Sequence, residues 1–212
     1  MEREVAEILL GIKAVTLRTD PPYTWSSGML APIYTDNRLL LSYPAERDTI
    51  VRCLAKAVEG GGMKADVIAG VATSGIPWAA LLAARMEKPM IYVRAKEKGY
   101  GKEKLIEGVL KKGQRAVVIE DLISTGGSSV SVVNAVREAG GIADFCLAIF
   151  TYELKKASEA FSKAKCKFAA LTNLSTLVQV ASEMGYVTKD ERDRILEWSK
   201  DPEGWGEKRL SP

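Results

Sequence analysis

The stretch Ala116-Val117-Val118-Ile119-Glu120-Asp121-Leu122-Ile123-Ser124-Thr125-Gly126-Gly127-Ser128-Ser129-Val130 decides the fold. It opens on four apolar residues whose branching suits a buried strand. Two adjacent carboxylates, Glu120 and Asp121, break that apolar run. Small and hydroxyl residues follow, and Val130 to Ala139 then shows the apolar period of a helix. Strand, acidic tip, small-residue loop and helix make the unit of an open α/β sheet. Ligands of such sheets bind outside the carboxyl ends of the strands, where the acids and the loop stand.

Each residue type has a physical use there. Gly126 and Gly127 permit positive φ and a close approach of backbone to ligand. The loop N–H groups and the first helical turn converge on an anion such as phosphate. Ser124, Thr125, Ser128 and Ser129 add hydroxyl donors. Phosphate in contact with Glu120 and Asp121 would be repelled, so the acids suit a neutral polyhydroxyl such as ribose, or a metal. A sugar phosphate satisfies both ends of the loop. An acid-tipped strand alone is common in α/β proteins, and the whole uninterrupted combination is far more specific. It resembles the phosphoribosyl-pyrophosphate (PRPP) motif of the type I phosphoribosyltransferases. The rival, a P-loop at Gly70 to Gly75, fails because Ile76 stands where the lysine is needed.

Composition narrows the classes further. The chain has 212 residues, 47% apolar and 27% charged, with a net charge of +3. This is ordinary for a globular protein with one sizeable core, and the charge is too mild to argue for nucleic acid. No apolar run approaches the ~20 residues of a membrane span. Met1-Glu2-Arg3-Glu4 lacks the apolar core of a signal peptide. Cys53, Cys146 and Cys166 are unpatterned and read as reduced thiols of a cytoplasmic protein, two of them in apolar surroundings. There is no histidine. Ser-His-Asp and Cys-His schemes are therefore excluded, and any metal is expected to be a hard cation on oxygen ligands.

Taken in order, Arg3 to Ala14 has helical spacing, and Val15 to Leu17 is extended. Tyr23 to Trp25 and Met29 to Arg38 form a small hairpin module, with Pro32 at a sheet edge. Pro44 to Val58 is a helix opened by proline. Ala65 to Ala69 is a strand that leads through a second small-residue loop, Gly70 to Pro77, into a helix from Trp78 to Met86. Met90 to Val93 is a strand, and the cationic run Arg94 to Lys104 follows it. Such cations suit a pyrophosphate, and a loop closing over it would exclude water. Ile142 to Thr151 and Phe168 to Leu171 are strands, with a helix from Leu154 to Ala164 between them. Ser175 is expected to cap a helix through Ala181, Asp190 to Trp198 is another helix, and Asp201 to Pro212 is expected to be irregular. The alternation predicts a mostly parallel sheet covered on both faces. The expected division is an N-terminal helix and hood over 1–42, a PRPP-binding α/β core over 43–172, and C-terminal helices over 173–212, within one compact domain.

Further stretches agree with the PRPP motif in order and spacing. Tyr23 to Arg38 (YTWSSGMLAPIYTDNR) resembles the N-terminal signature of the orotate phosphoribosyltransferases. Gly70 to Pro77 resembles their GxATxGIP loop, and Val93 to Gly108 their flexible catalytic loop. Thr151 to Ala157 and Trp198 to Trp205 are also similar to bacterial-type members. The resemblance implies the type I phosphoribosyltransferase fold and transfer of phosphoribosyl from PRPP to orotate, giving orotidine 5′-monophosphate and pyrophosphate. It implies that Glu120 and Asp121 hold the ribose hydroxyls and that the run through Leu122, Ile123, Ser124, Thr125, Gly126, Gly127 and Ser128 wraps the 5′-phosphate. Ser74 and Gly75 would lie at the pyrophosphate, with Arg94, Lys98 and Tyr100 bound to it. Ser27, Gly28, Tyr34, Thr35, Ser124 and Tyr152 would meet orotate. Lys98, Arg94 and Asp121 would be the catalytic set. Lys98 would act in the neighbouring site of a homodimer, and Mg²⁺ would ride mainly on PRPP oxygens. Three positions depart from common patterns: Tyr100 stands in place of a loop histidine, Ser26 in place of a lysine, and Tyr152 in place of an arginine used against the orotate carboxylate. The alternatives are a salvage transferase for a purine or uracil, and a non-catalytic PRPP-sensing regulator. The loop cations and the lack of a basic patch argue against the regulator.

Overall fold

A computed structural model describes residues 1–94 and 105–210 of the chain. The order begins with helix α1 (Glu2–Gly11) and four short strands, β1 (Val15–Leu17), β2 (Tyr23–Thr24), β3 (Leu30–Ala31) and β4 (Ile33–Thr35). A 3-10 helix (Asn37–Ser42) leads into α2 (Pro44–Gly60), β5 (Val67–Val71), α3 (Gly75–Arg85), β6 (Met90–Val93) and β7 (Ile106–Glu107). Next come β8 (Arg115–Ile123), α4 (Gly127–Glu138), β9 (Ile142–Thr151), α5 (Lys155–Lys163) and β10 (Lys167–Asn173). Helices α6 (Leu174–Glu183), α7 (Lys189–Lys200) and α8 (Pro202–Leu210) follow.

The main sheet has the order β10-β9-β8-β5-β6-β7. All its pairings are parallel except that of the edge strand β7 with β6. Alternation along the strands sends side chains to two separate cores, as a doubly covered sheet requires. From β8, Val117 and Ile119 enter the larger core with α1, α2, α3 and α6, while Ala116 and Val118 enter the smaller one with α4 and α5. Among the described residues, no helix is long and apolar enough to cross a membrane.

The N-terminal module is two small antiparallel sheets, β1 with β4 and β2 with β3. It is held from below by an aromatic cluster. The Trp25 ring lies 5.2 Å from Tyr152 and 5.5 Å from Trp198, and the indole N–H of Trp198 donates to the Leu30 carbonyl at 3.2 Å.

Several expected boundaries are corrected. Strand β8 does not stop at the acids but runs on to Ile123, because Glu120 and Leu122 still pair with Ala148 and Phe150 of β9. Helices α3 and α4 begin at Gly75 and Gly127, about one turn ahead of their first periodic apolar residues. Ser175 is not the cap of α6. Asn173 caps it, its side-chain oxygen accepting from the Thr176 N–H, while the Ser175 hydroxyl donates to Glu153. The segment expected to be irregular forms α8, which buries Trp205. All three cysteines, not two, are buried.

Candidate functional site

The parallel pairing of β5, β8 and β9 brings the two small-residue loops to one edge of the sheet. Each loop opens a helix, so unpaired N–H groups of two first turns face the same space. Gly126 caps α4 at φ +80, and a Cβ there would lie 3.0 Å from the Phe161 ring. Gly75 opens α3 where a Cβ would stand 2.5 Å from the Ile119 carbonyl oxygen, so the helix start touches the β8 backbone. The Ala72–Thr73 peptide in the loop between β5 and α3 is cis.

Between the loops lies a cleft of about 300 Å³ lined by Thr35, Asp36, Arg38, Ala72, Thr73, Ser74, Glu120, Asp121, Leu122 and Ser128. Glu120 is 5% exposed. Its carboxylate accepts from the Ser129 hydroxyl at 3.3 Å and from the Asp121 N–H at 3.1 Å. Burial, and then the neighbouring Asp121 charge, pushes the Glu120 carboxyl up to about 9. Burial also raises Asp121. Two adjacent carboxyls, one buried and one half-buried, do not ionise together readily, so the pair carries a proton near neutral pH. An entering group that donates hydrogen bonds to both would favour their ionised forms.

The hood meets this pair through the 3-10 helix. Asn37 is 1% exposed, and its amide donates to the Asp121 backbone carbonyl at 2.7 Å. One residue on, Arg38 forks onto Asp36, with Nε to Oδ1 at 2.7 Å and Nη2 to Oδ2 at 3.0 Å.

The cleft gathers Thr35, Ser74, Glu120, Asp121, Leu122 and Ser128 from the expected set. Gly75, Gly126 and Gly127 form the two helix starts beside it. Ile123 is buried in β8, and its carbonyl accepts from the Thr151 hydroxyl and the Tyr152 N–H. Ser124 precedes Thr125, which lines a different groove together with Met29 and Leu154. Tyr34 is exposed on the hood, 5.8 Å from the Tyr23 ring. Ser27 and Gly28 sit in the tight turn from Trp25 to Met29, Gly28 at φ +84. Tyr152 is 3% exposed within the aromatic cluster, and burial raises its phenol well above the ordinary value, so it is neutral. Arg94 directly follows β6 and pairs with Glu107 at 3.3 Å. Lys98 and Tyr100 lie outside the described residues.

Asp36, Asn37, Arg38 and Thr73 received no role from the sequence, and Ser129, read as a hydroxyl donor of the loop, donates to Glu120. Asn37 and Arg38 fall inside the YTDNR segment, and that position was their only signal. Among the described residues, no group of three or more His, Cys, Asp or Glu side chains is placed to hold a metal ion. A hard cation would find at most the carboxyl pair here, and would need its remaining oxygens from substrate and water.

Comparison with known proteins agrees with this fold. Residues 39–181 match the model of the phosphoribosyl transferase domain. The chain is 48% identical over 202 residues to an orotate phosphoribosyltransferase of Coxiella burnetii, covering 95% of this chain and 97% of the relative. It is 47% identical over 206 residues to one from Listeria monocytogenes, covering 97% and 99%. The structure superposes on the crystal structure of an orotate phosphoribosyltransferase from Aeropyrum pernix with a TM-score of 0.73 at 30% identity, covering 86% of this chain and 99% of that one.

Proposed function

The chain belongs to the orotate phosphoribosyltransferase family, pentosyltransferases of pyrimidine biosynthesis, and from that premise we propose how its residues divide the work. The observation that carries the reading is the Glu120–Asp121 pair near the end of β8, Glu120 buried and Asp121 half-buried, facing the glycine-hydroxyl start of α4. Ribose hydroxyls donate to the two carboxylates. The 5′-phosphate takes the N–H and hydroxyl donors from Ser124 to Ser128, at the positive end of the α4 dipole. Pyrophosphate lies toward Ser74 and Gly75 at the start of α3, again on a helix N-terminus.

Loss of pyrophosphate from C1 of PRPP leaves an oxocarbenium-like centre, and a ring nitrogen of orotate bonds to the opposite face while its N–H proton passes through solvent to the released pyrophosphate. Charge builds on the leaving group, so cations aimed at it lower the barrier by several kcal/mol when preorganised. Arg94 and Lys98 are assigned that work, and Tyr100 a hydrogen bond to the same group. Lys98 acts in the neighbouring subunit of a homodimer. The assignments of Lys98 and Tyr100 rest on the family resemblance. No strong general base is required, in keeping with a chain that has no histidine. The family generally uses Mg²⁺ with PRPP. Here the carboxyl pair would face the ion through the ribose oxygens, and a bound Mg²⁺ supplies charge neutralisation of the pyrophosphate. On the base side, Tyr34 and Thr35 with the Ser27-Gly28 turn form the hood.

The test is loss of orotate absorbance on mixing the protein with PRPP, Mg²⁺ and orotate, with adenine, hypoxanthine and uracil in parallel. Orotate consumption with release of pyrophosphate is the expected result. Turnover of another base alone would move the assignment to salvage.

A further inference from the structure

Orotate is an anion, and the cleft that would receive it already holds Asp36, Glu120 and Asp121. A carboxylate entering there needs a cation. Ser26 in the hood and Tyr152 behind it supply none. Ser26 is exposed in the hood turn, and Tyr152 is buried and uncharged within the aromatic cluster. Among the described residues lining the cleft, Arg38 alone is cationic.

Its geometry suits the task. Asp36 takes the edge of the guanidinium formed by Nε and Nη2. The second edge, Nη1 with the outer hydrogen of Nη2, has no hydrogen-bond partner among the described residues. A guanidinium offers both edges to carboxylates in bidentate fashion, and one held at the first edge is already oriented at the second. The side chain is 64% exposed, so that edge is accessible. Arg38 also stands on the hood side of the cleft, two residues beyond Asp36 and next to Asn37, which anchors to the Asp121 carbonyl. The donors suited to phosphate line the same cleft at the starts of α3 and α4, with Ser74 and Ser128.

We propose that Arg38, oriented by Asp36, binds the carboxylate of orotate through its free guanidinium edge and so separates orotate from uracil. This rests on the transferase reading above.

Orotidine 5′-monophosphate and uridine 5′-monophosphate differ only in that carboxylate, and their dissociation constants from the full-length protein form the test. The wild type is expected to prefer orotidylate. Arg38→Gln should weaken orotidylate about tenfold or more, as loss of a charge-assisted pair predicts, and leave uridylate within about twofold. Arg38→Lys keeps the charge without the fork and should fall between. It also serves as the second variant if the glutamine form does not fold. Equal weakening of both nucleotides would place Arg38 on the phosphoribosyl half and overturn the proposal, as would an unchanged preference. In either case wild-type turnover of orotate would leave the transferase reading standing. A wild type that consumes no orotate and binds neither nucleotide would overturn both.

Discussion

Binding of PRPP with Mg²⁺ should strip a proton from the Glu120–Asp121 pair. The free Glu120 carboxyl is pushed up to about 9 by burial and then by Asp121. Ribose hydroxyls donating to both acids favour the ionised forms and draw the bound value down. At pH 7.5 the free pair sits about 1.5 pH units below its own midpoint. Ionising it then costs about 30-fold in affinity, or ~2 kcal/mol at ~1.36 kcal/mol per pH unit. The sign is fixed by linkage. The free protein binds more protons than the complex, so affinity rises with pH. The apparent Kd should fall between pH 7.5 and 9 by at most about tenfold per pH unit, and level off above that. Phosphate groups with a second pKa of ≈ 6 add little to the slope in this window. Calorimetry in buffers of different ionisation enthalpy, at saturating Mg²⁺, should count about one proton released per site. A Kd flat from pH 7.5 to 9, with heats independent of the buffer, would refute the reasoning.

Three further outcomes follow from single residues. Gly75→Ala drives a Cβ to 2.5 Å from the Ile119 carbonyl oxygen and should destabilise by about 1–3 kcal/mol, read as a lower urea midpoint; an unchanged midpoint would contradict the close packing of α3 on β8. Asn37→Ala removes the 2.7 Å hydrogen bond to the Asp121 carbonyl in a buried setting and should cost about 1–3 kcal/mol in the same titration, with a weaker PRPP affinity; if neither moves, the 3-10 helix does not anchor the acid pair. Lys98→Ala should lower kcat about 10²-fold while leaving the melting temperature in place, and wild-type turnover would remove that lysine from the mechanism.

Much of the site could be read along the chain because its parts are local. Glu120, Asp121 and Ser124 to Ser128 are contiguous, and their order is itself the strand–loop–helix unit. The alternation that puts Val117 and Ile119 on one face and Ala116 and Val118 on the other follows from the period of two. Reading failed where local and tertiary signals compete. Pairing with β9 carries β8 past two carboxylates that look like a strand end. Asn173 outcompetes Ser175 as the cap because Glu153, 22 residues away, takes the serine hydroxyl. The tail from Asp201 has the prolines and glycines of a loop, yet it is helical, with Trp205 buried and Lys156 of α5 paired to Glu203 at 2.6 Å.

By itself, the sequence determined the class of sheet and the family, and it located the candidate site at the end of β8, since backbone freedom at glycine, hydroxyl donors and adjacent charges act within a few residues. Tertiary structure alone decided three things. It raised the Glu120 carboxyl, because burial depends on what packs over it. It withdrew Tyr152 into an aromatic cluster drawn from the hood and α7. It brought Asn37 against Asp121 across 84 positions of chain, with Arg38 beside it on the cleft. No local pattern encodes such a contact, because it exists only once the hood and the sheet have each folded and docked.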